Sequence, residues 1–320
     1  MNLSYRRLRN KLYILIALLL GFVLNSQAQV AQHYFALWGE VGGTMMLTRS
    51  DKASPAIGVG GGVGMGYELQ YNKFLLQTGL HINGAIEKLK LKDGDFVLRS
   101  SIDTEDYIFD FWYHQKDRKD NYTVTSLQIP LLFGGEFNRF YFLAGAKANI
   151  NIYSKALASG VYSSLGDYEP MIDPFEDMPN HQFFSDYYAV SEEKCKFNFD
   201  VLLSGEIGIR FGNLYRTSSD RSKVRLAIYA DYGLLDCHVK GDKDIVSLAQ
   251  TFNAGDMQTS IHPHHFLSTK DATNPVHNLQ VGIKLTYLLS SKVGKKRFCP
   301  MCNDEFVPRK YKKKCVICLY

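Results

Sequence analysis

Four cysteines near the C-terminal end of the chain have the spacing of a metal site. Cys299-Pro300-Met301-Cys302 and Cys315-Val316-Ile317-Cys318 are two C-x2-C pairs, and twelve residues separate them. Four thiolates in this arrangement can bind Zn²⁺ tetrahedrally. In an exported protein the same thiols can instead be oxidised to disulfides or stay free. We therefore expect Cys299, Cys302, Cys315 and Cys318 to bind zinc, with disulfides and free thiols as the alternatives.

The other two cysteines, Cys195 and Cys237, are predicted at the outer ends of two neighbouring strands. Residues that face each other across these strands pair odd numbers with even ones. The two cysteines are therefore one residue out of register, and a β-bulge would have to bring them together. We hypothesise that they form a cross-strand disulfide.

No residue pattern indicates catalysis. The glycine-rich stretch Ile57 to Tyr71 lacks G-x-G-x-x-G, since the third glycine position falls on Val63, Met65 or Tyr67, and no G-K-[ST] follows it. No Ser-His-Asp set has the local sequence of a known hydrolase motif. We expect a protein without enzymatic activity, and an embedded hydrolase or acyltransferase has no motif to support it.

Residues 1–28 have the layout of a secretory signal peptide. A basic region from Arg6 to Lys11 precedes the apolar run Leu12 to Leu24, and Ser26-Gln27-Ala28 is a small-x-small cleavage site. Without this leader, 33 basic and 32 acidic residues remain. The tail, residues 290–320, carries a net charge of +7 and residues 29–289 carry −6, so the main domain gives no argument for nucleic-acid binding.

The elements that must position these residues are amphipathic strands. In the stretch Ile57 to Tyr71, one set of alternate residues is mainly apolar and the other is glycine or polar. The stretch is longer than an ordinary strand of about 5–6 residues and suits a tilted membrane strand. Eight segments share this alternation: His33 to Leu47, Ile57 to Tyr71, Phe74 to Ile86, Thr123 to Phe137, Phe140 to Ile152, Lys196 to Phe211, Lys223 to Leu235 and His277 to Leu289.

The connections between the eight segments alternate in length. Those after the second, fourth and sixth segments are short, and most of the others are much longer. This sorting predicts an all-β fold: an eight-stranded antiparallel transmembrane up-and-down β-barrel, residues 29–289, with long extracellular loops and a small Cys-rich C-terminal tail. A soluble lipocalin-like barrel is the alternative. Pro130 lies inside the fourth segment, where a bulge or an open ladder is expected.

The inward face of the predicted barrel carries charged side chains: Glu40, Glu68, Lys147, Asp200, Glu206, Arg210, Arg225, Asp231 and Lys284. The interior of an eight-stranded barrel is just wide enough for side chains to fill it, and charges inside it must be paired. We expect a buried ion-pair network there, with a proton or ion path as the alternative. The long loops are acidic and aromatic, and are either solvated or a docking surface. Three loop histidines, His262, His264 and His265, are more often unliganded than metal-bound.

Strands four to eight resemble the PorT-type outer-membrane β-barrels of Bacteroidota. The segments that carry the resemblance are SLQIPLLFGGEF, FYFLAGAKANI, FDVLLSGEIGIRFG, VRLAIYADYGLLD and LQVGIKLTYLL. The leader ending SQAQ is typical of that phylum. In the last strand, Gln280-x-Gly282-x-x-Leu285-x-Tyr287 resembles the assembly signal of outer-membrane barrels. The resemblance implies residence in the outer membrane of a Gram-negative bacterium, but it does not specify a role.

We therefore expect a non-enzymatic anchor or accessory subunit of an envelope or secretion complex. Its partners would be the lipid bilayer, and proteins at the periplasmic tail or the extracellular loops. The alternative is a narrow channel or small-ligand receptor of the outer membrane. Zinc in the tail is the one cofactor expected.

Overall fold

Strands account for nearly all of the regular structure. The computed structural model describes residues 31–102, 107–168, 175, 183, 185–211, 222–253 and 256–290. The strands are β1 (Gln32–Thr48), β2 (Ala53–Tyr71), β3 (Phe74–Leu91), β4 (Gly94–Ile102), β5 (Ile108–Phe137), β6 (Phe140–Asp167), β7 (Tyr187–Lys194), β8 (Asp200–Phe211), β9 (Ser222–Gly233), β10 (Val246–Asn253), β11 (Asp256–Pro263) and β12 (Val276–Ser290). A short 3₁₀ helix covers Phe266–Ser268. Among the described residues, no helix has the length and apolarity needed to cross a membrane.

Eight of these strands close into a ring. The order around the ring is β1, β2, β3, β5, β6, β8, β9 and β12, and β12 pairs again with β1. Each of these pairings is antiparallel. Closure removes the unpaired edges that an open sheet would expose. The eight-stranded antiparallel barrel predicted from the sequence is confirmed.

The remaining strands extend the barrel at the end that carries the long connections. β4 pairs with β5 and β7 with β6, while β10 and β11 form a separate hairpin. β5 has 30 residues and β6 has 28. At about 3.3 Å per residue, their hairpin is roughly 100 Å long, whereas a membrane crossing needs roughly 9–11 residues. We call β4, residues 108–122 of β5, residues 153–167 of β6, and β7 together the outer sheet.

A bulge in β5 changes which residues face inward along the outer sheet. The register between β5 and β6 shifts between Lys116 and Lys119. Before the bulge the odd-numbered aromatic residues of 109–113 are buried, and after it the even-numbered residues are. The change coincides with the polar run HQKDRKDN at 114–121. The outer part of β5 therefore has no continuous alternation in its sequence.

Two-residue turns close the hairpins at the opposite end of the barrel. Asn72-Lys73 joins β2 to β3, and Asn138-Arg139 joins β5 to β6. Asn72 has a φ of 55° and Asn138 a φ of 57°, a left-handed conformation that asparagine adopts more readily than most residues. Short turns mark the periplasmic end of an outer-membrane barrel, so the outer sheet lies on the extracellular side.

The glycine face of β2 makes room for large side chains inside the barrel. A Cβ atom on Gly64 would collide with the indole ring of Trp38. A Cβ on Gly62 would collide with the carbonyl oxygen of Ile82 and the imidazole of His81. The opposite face of the strand is apolar, and Val63 on it is 69% exposed. β2 thus presents its glycines to the interior and its aliphatic residues to lipid.

Pro130 lies at an interruption of the ladder between β3 and β5. Pairing stops after Thr78↔Leu131 and resumes at His81↔Gln128 without a change of register. On its other side, Pro130 is paired with Lys147 of β6. Because proline has no N–H to donate, the ladder opens locally here, as the sequence predicted.

Candidate functional site

The charged side chains inside the barrel form two clusters of ion pairs. The periplasmic cluster consists of Glu68, Glu136, Arg210 and Arg225. Nη1 of Arg225 lies 2.7 Å from Oε2 of Glu68, and its Nη2 lies 2.7 Å from Oε2 of Glu136. Arg210 pairs with the other oxygen of Glu136. The guanidinium of Arg225 also lies over the ring of Tyr141, 4.6 Å from its centroid. Two positive and two negative charges balance in this cluster.

The central cluster lies further from the periplasmic end. Its members are Glu40, His81, Lys147, Glu206, Asp231 and Lys284. Nζ of Lys147 lies 2.7 Å from Oδ2 of Asp231 and 3.5 Å from Oε2 of Glu40. Nζ of Lys284 lies 2.7 Å from Oε2 of Glu206 and 3.5 Å from Oε1 of Glu40. Glu40 therefore joins the two lysines into one network.

The central cluster spans the interior of the barrel. Lys147 of β6 reaches Glu40 of β1, and Lys284 of β12 reaches Glu206 of β8, so both contacts join strands that are not neighbours in the ring. The four side chains are at most 6% exposed. Buried charges are costly unless they are paired, and these pairs offset that cost. The interior at this level is filled by side chains that hold opposite walls together.

The structure brings eight of the nine predicted inward charges into these clusters: Glu40, Glu68, Lys147, Glu206, Arg210, Arg225, Asp231 and Lys284. Asp200 is buried but accepts hydrogen bonds from the backbone N–H groups of Val201 (2.7 Å) and Leu235 (3.0 Å). Sequence analysis missed Glu136 and His81 as members. Both residues fall at positions that the alternation of their strands places on the inward face, so the sequence pattern was sufficient to predict them.

A polar cavity of about 30 Å³ borders the central cluster on its outer side. The side chains lining it include Asn83, Glu87, Asn149, Asp231 and Gln280. Four acceptor atoms lining it, Asn83 Oδ1, Glu87 Oε2, Asn149 Oδ1 and Asp231 Oδ1, are buried without a hydrogen bond to any described residue. A space of this size holds roughly one or two water molecules.

Apolar side chains close the barrel beyond this cavity. We call them the mouth cluster: Met46, Ala53, Leu89, Leu91, Tyr122, Ala156, Cys195, Cys237, Phe266, Leu267, Ala272 and Val276. Leu89 and Val276 are the next inward residues after the cavity-lining Glu87 and Asn278. Phe266, in the 3₁₀ helix, is 1% exposed. The outer mouth of the barrel is therefore packed shut.

Arg118 and Asp120, on the outer part of β5, hold the 3₁₀ helix in the mouth. Nη1 of Arg118 donates to the carbonyl of Ile245 (3.3 Å), and its Nη2 donates to the carbonyl of His264. Oδ2 of Asp120 accepts from the backbone N–H of Phe266 at 2.5 Å. The two side chains are 3.4 Å apart and at most 1% exposed. No sequence pattern distinguishes this pair, because both residues lie in the polar run of β5.

Cys195 and Cys237 are free, buried thiols of the mouth cluster. The two cysteines were predicted at the outer ends of two barrel strands. β8 instead begins after Cys195 and β9 ends before Cys237, so neither cysteine lies on a barrel strand. The backbone N–H of Asn198 donates to the carbonyl of Cys237 (2.9 Å), which puts Asn198 rather than Cys195 opposite it. The hypothesised disulfide is therefore not formed. Sγ of Cys237 donates instead to the carbonyl of Val276 at 3.2 Å.

A second polar constellation lies outside the barrel and centres on Glu193 of β7. Its Oε1 lies 2.6 Å from Nδ1 of His264 and 3.1 Å from Nε2 of His262. Nζ of Lys243 lies 3.1 and 3.2 Å from the two carboxylate oxygens. Partial burial acts to raise the pKa of Glu193, but hydrogen bonds from Lys243, His264 and His262 outweigh it and lower that pKa to about 2. We call these four residues the Glu193 cluster.

Two predicted regions lie outside the residues that the structure describes. One is the signal peptide, residues 1–28. The other is the tail with Cys299, Cys302, Cys315 and Cys318. The zinc site of the tail stays a prediction.

Comparisons with known proteins give the family. Residues 12–238 match a family model described as an outer membrane protein beta-barrel domain. A search of curated proteins found no match. Neisserial surface protein A is similar in structure at 7% identity and a TM-score of 0.24, over 79% of this chain and 95% of that one. The outer membrane protease OmpT from Escherichia coli is similar at 8% identity and a TM-score of 0.29, over 83% and 99%. At such TM-scores neither likeness carries an argument about this protein.

The family match covers more than half of the chain and includes seven of the eight ring strands, all except β12. It agrees with the closed antiparallel ring and the exposed aliphatic residues on its outer face. The protein resides in the outer membrane of a Gram-negative bacterium, with its barrel in the lipid bilayer. The chain belongs to the outer membrane protein beta-barrel domain family.

Proposed function

We propose that this protein is a non-enzymatic anchor or accessory subunit of an envelope or secretion complex. The observation that carries the proposal is the filled interior. Along the barrel, the periplasmic cluster, the central cluster and the mouth cluster follow one another. A transporter needs a continuous open path, and side chains occupy this one at three levels. What remains for function is the outer sheet, which the barrel fixes to the membrane.

The free edge of the outer sheet supports a protein partner. β7 is the last strand of the sheet order, so among the described residues no strand pairs with the other side of its backbone in that sheet. Tyr188 is 62% exposed and Val190 is 50% exposed on its outward face. An exposed strand edge with apolar side chains can accept an added strand from another protein. We therefore assign the docking surface to β7.

Planar-bilayer recordings test the closed interior. The purified full chain should give no discrete conductance steps. A large-pore porin added afterwards to the same bilayer verifies that insertion and recording work. Reproducible openings by the chain alone would contradict the anchor proposal and favour a channel.

Site-specific photocrosslinking in intact cells tests the docking surface. A photoreactive residue in place of Tyr188 should capture one or a few envelope proteins. The matched control replaces Ile207, which faces lipid and is 70% exposed, and should capture none of them. Equal capture from the two positions would remove the assignment to β7.

The narrow channel or small-ligand receptor is the second candidate function. The unpartnered oxygens of Asn83, Glu87, Asn149 and Asp231 favour it, because together they offer a water-sized, electron-rich cavity. Such a cavity suits a proton, an ion or water rather than an organic ligand. Proton flux into vesicles that contain the protein, lost in Glu87→Gln, would support this function over the anchor.

The finer family assignment and the tail belong to the same proposal. The PorT-type segments support a Bacteroidota barrel, and a periplasmic zinc-ribbon-like tail with net charge +7 suits an acidic partner. Zinc analysis of the purified chain tests the tail. The content should fall by about one equivalent when Cys299 and Cys302 are replaced by serine. An unchanged content would leave the tail without metal.

A further inference from the structure

We propose that Glu193, His262 and His264 bind a divalent transition metal ion, with Zn²⁺ as the best match, on the extracellular side of the barrel. The three side chains offer one carboxylate oxygen and two imidazole nitrogens, all within 4.8 Å of one another. This donor set is typical of zinc sites that keep a fourth position for water or another ligand. Zinc bonds of about 2.0–2.2 Å place tetrahedral ligand atoms roughly 3.2–3.6 Å apart. Only small movements of the three side chains are needed.

The ligands lie on elements that are already fixed. Glu193 is in β7 and pairs with Ala156 of β6. His262 is in β11 and pairs with Ser247 of β10. The carbonyl of His264 is held by the buried guanidinium of Arg118. A site whose ligands lie on rigid strands loses little conformational entropy when the metal binds.

The second nitrogen of His264 has an orienting partner. Its Nε2 lies 2.9 Å from Oγ of Ser247. In the metal-free cluster, Nδ1–H donates to Glu193 and Nε2 accepts from the serine hydroxyl. In the metal-bound form, Nδ1 binds the metal and Nε2–H donates to Ser247, whose hydroxyl can also accept. Outer-shell contacts of this kind are usual for metal-binding histidines.

Lys243 occupies the place of the cation in the metal-free cluster. Its Nζ contacts both oxygens of Glu193 and lies 3.4 Å from Nδ1 of His264. An ammonium group and a divalent ion repel each other, so the two exclude one another from the cluster. The lysine side chain is 44% exposed and can move into solvent when the metal binds. Removing it should therefore raise the affinity for the metal.

Isothermal titration with ZnCl₂ tests the site. The protein is the full chain with Cys299, Cys302, Cys315 and Cys318 replaced by serine, so that the tail does not contribute. This chain should bind about one zinc ion. His262→Ala and His264→Ala should each lower the affinity roughly 100-fold or more, since a direct ligand costs more than the 10–100-fold of an outer-shell partner. Lys243→Met should raise the affinity several-fold.

Two controls keep the result interpretable. His114 pairs with Asp95 at 2.7 Å on the exposed surface but lies outside the Glu193 cluster, so His114→Ala should leave zinc binding unchanged. A difference in gel mobility between heated and unheated samples verifies that each variant is a folded barrel. Lys243→Met should raise the affinity for zinc, and misfolding does not produce such a gain. Absence of zinc binding by the tail-substituted chain overturns the proposal. So does an affinity that neither histidine substitution nor Lys243→Met changes.

Discussion

Nζ of Lys284 in β12 lies 2.7 Å from Oε2 of Glu206 in β8, on the far side of the intervening strand β9. The lysine has a second carboxylate, Glu40, at 3.5 Å. Glu206 has no other ion pair in the described part of the chain. The two ends of this bridge are therefore unequal, and substitutions at them should have unequal effects.

Lys284→Met should destabilise the barrel more than Glu206→Gln. The first leaves Glu206 buried without its cation, a change that costs about 3–5 kcal/mol. The second leaves Lys284 with Glu40, so we expect a smaller loss. The free energy of unfolding in lipid vesicles, measured with urea, gives both values. Equal losses would contradict the assignment of Glu206 to a single ion pair.

Gly62→Leu should prevent assembly of the barrel. A side chain at this position would collide with the carbonyl oxygen of Ile82 and the imidazole of His81. The carbonyl belongs to the backbone of β3, so it cannot move away without breaking the pairing between β2 and β3. The folded, heat-modifiable species in membranes should fall below detection. Gly205→Leu is the matched control, because a Cβ there has nothing within 4 Å. Normal assembly of the Gly62 variant would refute the close packing of β2.

Arg118→Met should loosen the 3₁₀ helix without unfolding the barrel. The substitution removes the donors to Ile245 and His264. Asp120 loses its cation but keeps the hydrogen bonds from the backbone N–H of Phe266 and the hydroxyl of Tyr122, so the loss is smaller than for a buried charge left with no partner. A cost of about 1–3 kcal/mol corresponds to a roughly 5- to 150-fold larger open population. Cleavage near residues 264–267 by protease added to intact cells should speed up accordingly. Lys119→Met, on the exposed face of the same strand, should leave the cleavage rate unchanged.

Cys195 and Cys237 should resist thiol reagents in the folded protein. Burial raises the pKa of both thiols, so little reactive thiolate forms. A maleimide should label them only after denaturation, as read by peptide mapping without reductant. Val190→Cys, on the outward face of β7, should label quickly and serves as the positive control. A disulfide-linked pair of peptides would restore the hypothesis that the structure argues against.

The membrane-crossing part of the fold was predictable, because lipid imposes a strict alternation. Leu131 and Phe133 face out while Gln128 and Leu132 face in, as their parity requires. The outer sheet has water on one face and its own core on the other, so its sequence is less regular. The bulge between Lys116 and Lys119 then reverses the parity within a polar run. Sequence alternation alone could not reveal these strands.

The candidate sites were predictable to a smaller extent. The parity of residue numbers along each strand identified which charges face inward. It did not identify their partners: Lys284 pairs with Glu206, whereas Asp200 accepts hydrogen bonds from backbone N–H groups. Which charged side chains come within contact distance depends on the stagger of the strands around the ring. The Glu193 cluster is harder still. His262 is 69 residues from Glu193 in the chain, and the two meet because the β10–β11 hairpin folds back onto β7.

The β5–β6 hairpin runs as one pair of strands from the periplasmic turn through the membrane into the outer sheet. The turn at Asn138-Arg139 sets the pairing of both strands from the periplasmic side up to Asp110 opposite Asp167 in the outer sheet. One residue inserted in that turn would displace every pair up to the next bulge, and inward side chains would then face lipid. The bulges at Thr125/Ser126 and Lys116/Lys119 are the places where such a slip can be absorbed. A length change at the periplasmic turn thus disturbs the membrane-crossing part of the hairpin, while one beyond the bulges stays within the outer sheet.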